Sequence, residues 1–188
     1  PPRLRTTGEK SLALRLRGQL DLPALRAVHR LDKDTSGCVL FAKTEEARLA
    51  LVAQFEEGRV RKLYHALVAG VLDPPQQDIR APVDHLPAVS HVRQVSAQPR
   101  PPRCAHRTVA IEPGRTHQIR IHLQSIGHPV LGDRQYFSSR APEFAEVPRQ
   151  MLHASDLRFV HPATGRPVAA AAPLPRDFKD WLRNLRLT

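Results

Sequence analysis

The stretch LHASDLRFVHPATGRPVAAAAP, residues 152–173, decides how the chain reads as a fold. Two strand-like runs flank HPATGR, and a connection that short suits a hairpin and leaves no room for a crossover helix. Upstream, CAHRTVAIE (104–112) and KLYHALVAGV (62–71) also read as strands, the former closed by a turn at Pro113-Gly114. RTHQIRIHLQSIG (115–127) reads as a helix or irregular segment ended by Gly127, and GHPVLGD (127–133) as a loop. Residues 72–103, rich in Pro, Gln and Arg and containing QPRPPR, read as a loop or lightly structured excursion.

At the front, after a polar, proline-led start, SLALRLRG (11–18) alternates apolar and charged residues as a half-buried strand does. A short apolar run, Gly37 to Ala42, stops just before a helix that Thr44 caps. Glu45 and Glu46 complement its positive end, Ala47, Leu51 and Phe55 form its core stripe, and Gly58 ends it. Phe178, Trp181, Leu182 and Leu185 place a last helix on the core. Strands and helices are interspersed, yet the strand pairs are joined too tightly for repeated crossovers. The expected class is therefore α+β, with a mixed, mainly antiparallel central sheet and flanking helices.

A length of 188 residues suits one domain, 1–188, and shows no repeat. The 29 Lys+Arg against 18 Asp+Glu give a net charge of +11, which favours a polyanionic partner, nucleic acid first. Lysine occurs only at Lys10, Lys33, Lys43, Lys62 and Lys179; the remaining cations are arginines, suited to phosphate forks and base stacking. A GC-rich genome inflates arginine without any binding role, so charge alone does not choose. Cys38 and Cys104 are too far apart to suggest a disulfide framework or a CxxC metal site, and they point to a reducing, cytoplasmic setting. No apolar stretch approaches a membrane span, and PPRLRTTGEKS lacks the apolar core of a signal peptide.

The chemistry concentrates in AVHRLDKDTSGCVLFAK, residues 27–43, which puts Asp32 and Asp34 in one polar turn. Asp32, Asp34, Ser36 and Gly37 match positions 1, 3, 5 and 6 of a calcium loop, but the twelfth position, which requires a bidentate Glu, is Lys43. Asp34, Thr35 and Gly37 read as turn residues. Asp32 differs, because Arg26, His29, Arg30 and Lys33 surround it, and a carboxylate among cations stays ionised as a nucleophile must.

HRLDKDTSG (29–37) resembles the signature of the RluA family of RNA pseudouridine synthases. RKLYHALVAG (61–70) resembles that family's tyrosine-bearing strand, and GRTHQIRIHLQSIGHPVLGD (114–133) its third motif. LHASDLRFVHPATG with PLPRDF resembles its closing segment. The resemblance runs from about Ala27 to Phe178, weakest at 72–103, and implies the pseudouridine synthase catalytic fold. It also implies a reaction that detaches uracil at N1, turns the base and rejoins it through C5, without cofactor or metal.

By the same resemblance Asp32 is the nucleophile, whether it attacks the ribose, attacks the ring or stabilises an oxocarbenium-like state. Arg120 is its partner, with Arg115 as the alternative, and Tyr64 is the residue on which uracil stacks, its other reading being a core aromatic. Arg30 fills the gap left by the flipped base. His29, Arg115, His117 and Lys62 complete the expected RNA contacts. His117 and His122 lack further ligands at metal spacing, and Ile119 and Leu123 suit either a pocket wall or the core. The expected partner is structured RNA, tRNA or rRNA, with no membrane and no metal, and the expected state is a monomer.

Two features depart from the family pattern. Only 28 residues precede His29 and none resembles the family's KPxG-like segment, so that part is expected to be missing or rebuilt, with no separate N-terminal RNA-binding module. HVRQVSAQPRPPRC (91–104) is also unusually rich in Arg and Pro. The rival readings are a non-catalytic RNA-binding protein that retains the fold, and an Asp-dependent hydrolase, which requires a water-activating partner or metal site that the sequence does not offer.

Overall fold

The computed structural model describes residues 11–137 and 142–188; the proline-led start lies almost wholly outside that range. The helices are α1 (Leu12–Leu20), α2 (Glu45–Glu56), α3 (Gln118–Ser125) and α4 (Arg176–Asn184). The strands are β1 (Arg26–Ala27), β2 (Ser36–Gly37), β3 (Phe41–Ala42), β4 (Arg61–Ala69), β5 (Gln76–Ile79), β6 (Val89–Gln98), β7 (Cys104–Glu112), β8 (Leu152–Val160) and β9 (Pro167–Ala171). Seven strands form one sheet in the order β2-β8-β4-β7-β6-β5, with β9 also on β8. Only the β2–β8 pairing is parallel, so the sheet is mixed and mainly antiparallel, as the tight connections dictate.

β4 is central and its Ala66, Leu67 and Val68 are fully buried, because both faces of the sheet are covered. On one face Ile119 and Leu123 of α3 pack over Tyr64, Ala66, Val92 and Val109. On the other, Phe178 and Leu182 of α4 pack with Leu67, Leu131 and Met151. Burying an aliphatic or aromatic side chain is worth roughly 1.5–3 kcal/mol, so α3 and α4 are held by these anchors and not by propensity alone. Thr44 caps α2 by accepting from the Ala47 amide at 3.2 Å, as its position before two glutamates leads one to expect. The hairpin around HPATGR is present, with the His161 amide donating to the Arg166 carbonyl.

Two segments correct the sequence reading. Residues 12–18 lie in a helix, α1, and not in a strand: Ser11 is its N-cap, its hydroxyl accepting from the Leu14 amide, and the chain satisfies its backbone locally instead of joining a sheet edge. Its apolar residues Leu12, Leu14 and Leu20 remain exposed, so their alternation did not report burial. Residues 72–103 contain two ordered strands, β5 and β6, paired antiparallel and joined to β7. Their period-two signal is weak because inward positions such as Ser90 and Gln94 are polar. The run 37–42 forms two short strands, β2 and β3, with a break between them.

β1 and β3 pair antiparallel, so residues 28–40 are one long loop whose stem lies at α2 and whose far arm, β2, joins the main sheet. Gly37 makes that junction possible. Its φ is +122°, and a Cβ there would sit 2.1 Å from the Ala154 carbonyl oxygen on β8. The loop that carries the acidic turn is thereby tied to the sheet centre.

Candidate active site

Asp32 sits at the bend of this loop, where the Thr35 amide donates to the Asp32 carbonyl at 3.0 Å. Its side chain is 20% exposed. Opposite stands α3, whose N-cap His117 takes a left-handed conformation (φ 55°, ψ 17°), turning the chain sharply out of the Gly114-Arg115 turn. From this helix Ile119 and Leu123 point into the core, while Arg120 reaches the loop and donates from Nη1 to Asp32 Oδ2 at 3.1 Å. His117 Nε2 lies 3.8 Å from Asp32 Oδ1. In this structure Asp32 therefore pairs with Arg120 and not with Arg115. Arg115 instead donates from Nε to the Pro87 carbonyl at 3.2 Å.

Arg120 is gripped from behind by Asp133, a residue to which the sequence reading gave no role. Arg120 Nε and Nη2 meet Asp133 Oδ2 at 2.6 Å and Oδ1 at 2.9 Å, a bidentate fork, and the Asp133 side chain is wholly buried. The amides of Gln135 and Tyr136 also donate to Asp133 Oδ1. Burial opposes charge on both partners, yet their mutual hydrogen bonds outweigh it. Arg120 is held above its ordinary pKa and Asp133 below its own. Tyr136 places its ring under the Arg120 guanidinium, 4.9 Å to the centroid, and its hydroxyl lies 3.0 Å from His117 Nδ1. A buried arginine between two aspartates thus presents one fixed N–H to Asp32.

A cavity of about 440 Å³ opens between the loop and α3, bordered by Arg30, Asp32, Lys62, Tyr64, Arg115 and Arg120 among others. Tyr64 reaches it from β4 at a bulge in the pairing with β8, which shifts register between Leu63 and Tyr64. Burial first, and then the nearby Asp32 charge, push its hydroxyl up to about 12, so the phenol stays protonated. Lys62, two residues earlier on the same side of β4, is also buried. Its ammonium donates to the Pro113 carbonyl and lies 5.6 Å from the Phe55 ring centroid, and burial lowers its pKa to about 8.

His29 Nε2 accepts from the Leu40 amide at 3.0 Å, and its ring stacks on Phe55 at 4.8 Å. Burial lowers it to about 4, so the cavity meets a neutral ring that braces the loop. A second cavity of about 350 Å³ shares Arg30, Asp32, His117 and Arg120 and extends to Lys33 and Arg134. His122, in contrast, is fully buried with both ring nitrogens engaged, by Ser90 Oγ and the Ala81 carbonyl. Among the described residues no group of three or more His, Cys, Asp or Glu is placed to hold a metal ion, and no helix is long and apolar enough to cross a membrane.

The structure brings Asp32, Tyr64 and Arg120, all three singled out in the sequence, to the border of one cavity. The sequence reading missed Asp133 because the acid lies thirteen residues beyond Arg120, outside any helical spacing. The one local signal was its place at the end of GHPVLGD, the close of the third motif.

Known proteins resemble this chain in sequence and in fold. A family model described as RNA pseudouridylate synthase matches residues 5–125. Ribosomal large subunit pseudouridine synthase D of Pseudomonas aeruginosa is 42% identical over 88% of this chain and 58% of its own length. An uncharacterised RNA pseudouridine synthase of Chloroflexus aurantiacus is 40% identical over 85% of this chain and 53% of its own. The chain thus spans little more than half the length of the curated relatives it matches. Human RNA Pseudouridylate Synthase Domain Containing 1 superposes with a TM-score of 0.72 at 25% identity, over 95% of this chain and 86% of that one.

Proposed function

The chain belongs to the RNA pseudouridylate synthase family, and from that premise we propose that it isomerises uridine to pseudouridine in structured RNA, with Asp32 as the reacting carboxylate. Ribosomal RNA of the large subunit is the first substrate to try, since a net charge of +11 suits a polyanion and the relative from Pseudomonas aeruginosa carries the ribosomal large subunit in its name. The observation that carries the reading is the Asp32–Arg120–Asp133 chain. One carboxylate is partly exposed in a cavity, oriented by an arginine whose Nε and Nη2 are forked onto a buried acid.

In this reaction the C1′–N1 bond breaks, a C1′–C5 bond forms, and the C5 proton leaves as N1 gains one. Asp32 serves as the nucleophile or anionic stabiliser during the interval in which uracil is detached. Arg120 keeps the carboxylate aimed. Tyr64, neutral at physiological pH, offers its ring face for stacking, a contact of roughly 1–3 kcal/mol per base. The target base must leave its stem or loop, which costs a few kcal/mol, and Arg30, exposed at the junction of the two cavities, stacks where it was. Lys33 and Arg134 on the second cavity then neutralise flanking phosphates.

The test is to incubate the protein with ribosomal RNA and tRNA and map new pseudouridines, with Asp32→Asn in parallel. Site-specific modification that the variant abolishes is the expected result. RNA binding by the wild type with no modification would favour a non-catalytic RNA-binding protein that retains the fold.

A further inference from the structure

The acidic turn has a second anchor, on the side away from Arg120. Arg149, just before β8, donates from Nη1 to the carbonyls of Asp34 (3.0 Å), Gln150 (3.0 Å) and Leu152 (3.4 Å). Its Nη2 donates to Ser36 Oγ at 3.2 Å and Asp177 Oδ1 at 3.1 Å, and its Nε to Asp177 Oδ2 at 2.7 Å. A guanidinium has five N–H groups, and this one uses all of them inside the protein, which leaves no donor for RNA. The neighbouring Gln150 donates to Thr35 Oγ1 at 2.6 Å, and His153 Nδ1 lies 2.9 Å from Ser36 Oγ. Three consecutive turn residues, Asp34, Thr35 and Ser36, are thus each held by the segment 149–153.

The backbone around this anchor is fitted closely. Gly132, next to Asp133, has φ +74°, and a Cβ there would fall 2.1 Å from the Arg149 carbonyl oxygen. The segment holding the turn therefore packs directly against the loop that supplies Asp133. Asp177, at the start of α4, orients the Arg149 fork, and that pairing holds the Asp177 carboxyl below its ordinary pKa.

We infer that Arg149 is a positioning residue: with Asp177 behind it, it fixes the turn so that the Asp32 carboxylate keeps its place at Arg120. The inference rests on the reading of Asp32 as the reacting carboxylate. The physical need is plain, because Arg30 and Lys33 flank Asp32 and RNA held by them pulls on the same few residues. A displacement of about 1 Å at a reacting group costs on the order of 100-fold in rate. A turn of exposed polar residues resists such a pull only if its trailing side is fastened.

The experiment compares wild type, Arg149→Ala, Arg149→Lys, Ser36→Ala and Asp177→Asn. For each, the single-turnover rate at saturating enzyme, the RNA Kd and amide exchange of the Thr35 and Cys38 N–H groups are measured. Those amides donate to the Asp32 and Ala154 carbonyls in the anchored turn. Arg149→Ala is expected to slow the single-turnover rate by roughly 30- to 100-fold with Kd within about threefold. It should also speed exchange at both amides by at least about tenfold. Arg149→Lys should recover part of the rate, and Ser36→Ala and Asp177→Asn should each lose about 3- to 10-fold. A folded Arg149→Ala with a rate within about threefold of wild type, or with unchanged exchange, overturns the inference. Kd weakening in step with the rate overturns it as well, since Arg149 would then be an RNA contact. If Arg149→Ala does not fold, Ser36→Ala and Asp177→Asn decide on the same readings, and wild-type rates in both overturn it. A wild type without turnover defeats the proposed function instead, while the exchange data still decide whether Arg149 holds the turn.

Discussion

Asp133→Asn separates what the Arg120 fork does for the fold from what it does for Asp32. In the wild type, Asp133 Oδ1 accepts from the Gln135 and Tyr136 amides and from Arg120 Nη2, whereas Oδ2 accepts only from Arg120 Nε at 2.6 Å. An asparagine that keeps its carbonyl at the first position retains three of those bonds. Its NH2 group must then face the Arg120 Nε–H, donor against donor at hydrogen-bond distance. The buried guanidinium also loses its nearest counter-charge. Breaking a buried ion pair from one side costs about 3–5 kcal/mol, and that is the expected loss in unfolding free energy by urea titration. The single-turnover rate should fall about 100-fold, since Arg120 is no longer fixed where Asp32 needs it.

The pH dependence has a definite sign. The Asp133 carboxyl is held below its ordinary value of 3.8, so its stabilisation is present above that pH and is lost as pH falls below it; the variant should lack this part of the acid limb. Asp32→Asn is the contrast, touching the same arginine through one 3.1 Å bond at a partly exposed carboxylate. It should cost about 1 kcal/mol or less in stability while abolishing turnover. Equal stability losses in the two variants, or a loss under about 1 kcal/mol for Asp133→Asn, would refute the assignment of the two carboxylates to separate tasks.

Lys62 has a folded pKa of about 8 against an ordinary 10.5, so folding disfavours its charge and stability should rise as pH climbs from about 8 to 10.5. Thermal unfolding across that window should show the rise in the wild type and not in Lys62→Met. Arg107 is fully buried with none of its guanidinium nitrogens hydrogen-bonded to a described residue, and Arg107→Met should therefore raise the unfolding free energy, by about 1–3 kcal/mol in urea titration. If Lys33 and Arg134 meet phosphates, Lys33→Ala and Arg134→Ala should each reduce the slope of log K against log salt by about 1 and weaken RNA binding across sequences, with little change in the single-turnover rate. Unchanged slopes would remove the second cavity from the RNA path.

Much of this molecule is written locally. Cys104–Glu112, closed by the Pro113-Gly114 turn, reads as a strand over the same residues that form β7, and Thr44 before Glu45 and Glu46 marks the start of α2 to the residue. The spacing of Phe178 and Leu182 likewise announces a docked helix. Local patterns failed where a segment's environment differed from its periodicity. Leu12 and Leu14 alternate like a strand, yet the segment is helical and buries none of its residues. The inward positions of β6 include polar Ser90, whose side chain is met by a distant group, His122 of α3. No window of sequence around residue 90 contains that partner.

The site divides in the same way. The sequence alone determined that the chain carries Asp32 in a cationic turn, a tyrosine on a strand and an arginine in a third motif, in an order that identifies the family. Only the tertiary structure decided which arginine reaches Asp32, that Asp133 grips that arginine from behind, and that Arg149 fastens the turn from the far side. The reason is physical: a buried fork requires its two halves to meet at about 3 Å, and here the halves lie 13, 88 and 115 residues apart along the chain. Sequence records the donors and acceptors; which of them meet is decided when β2 docks on β8 and α3 packs over β4.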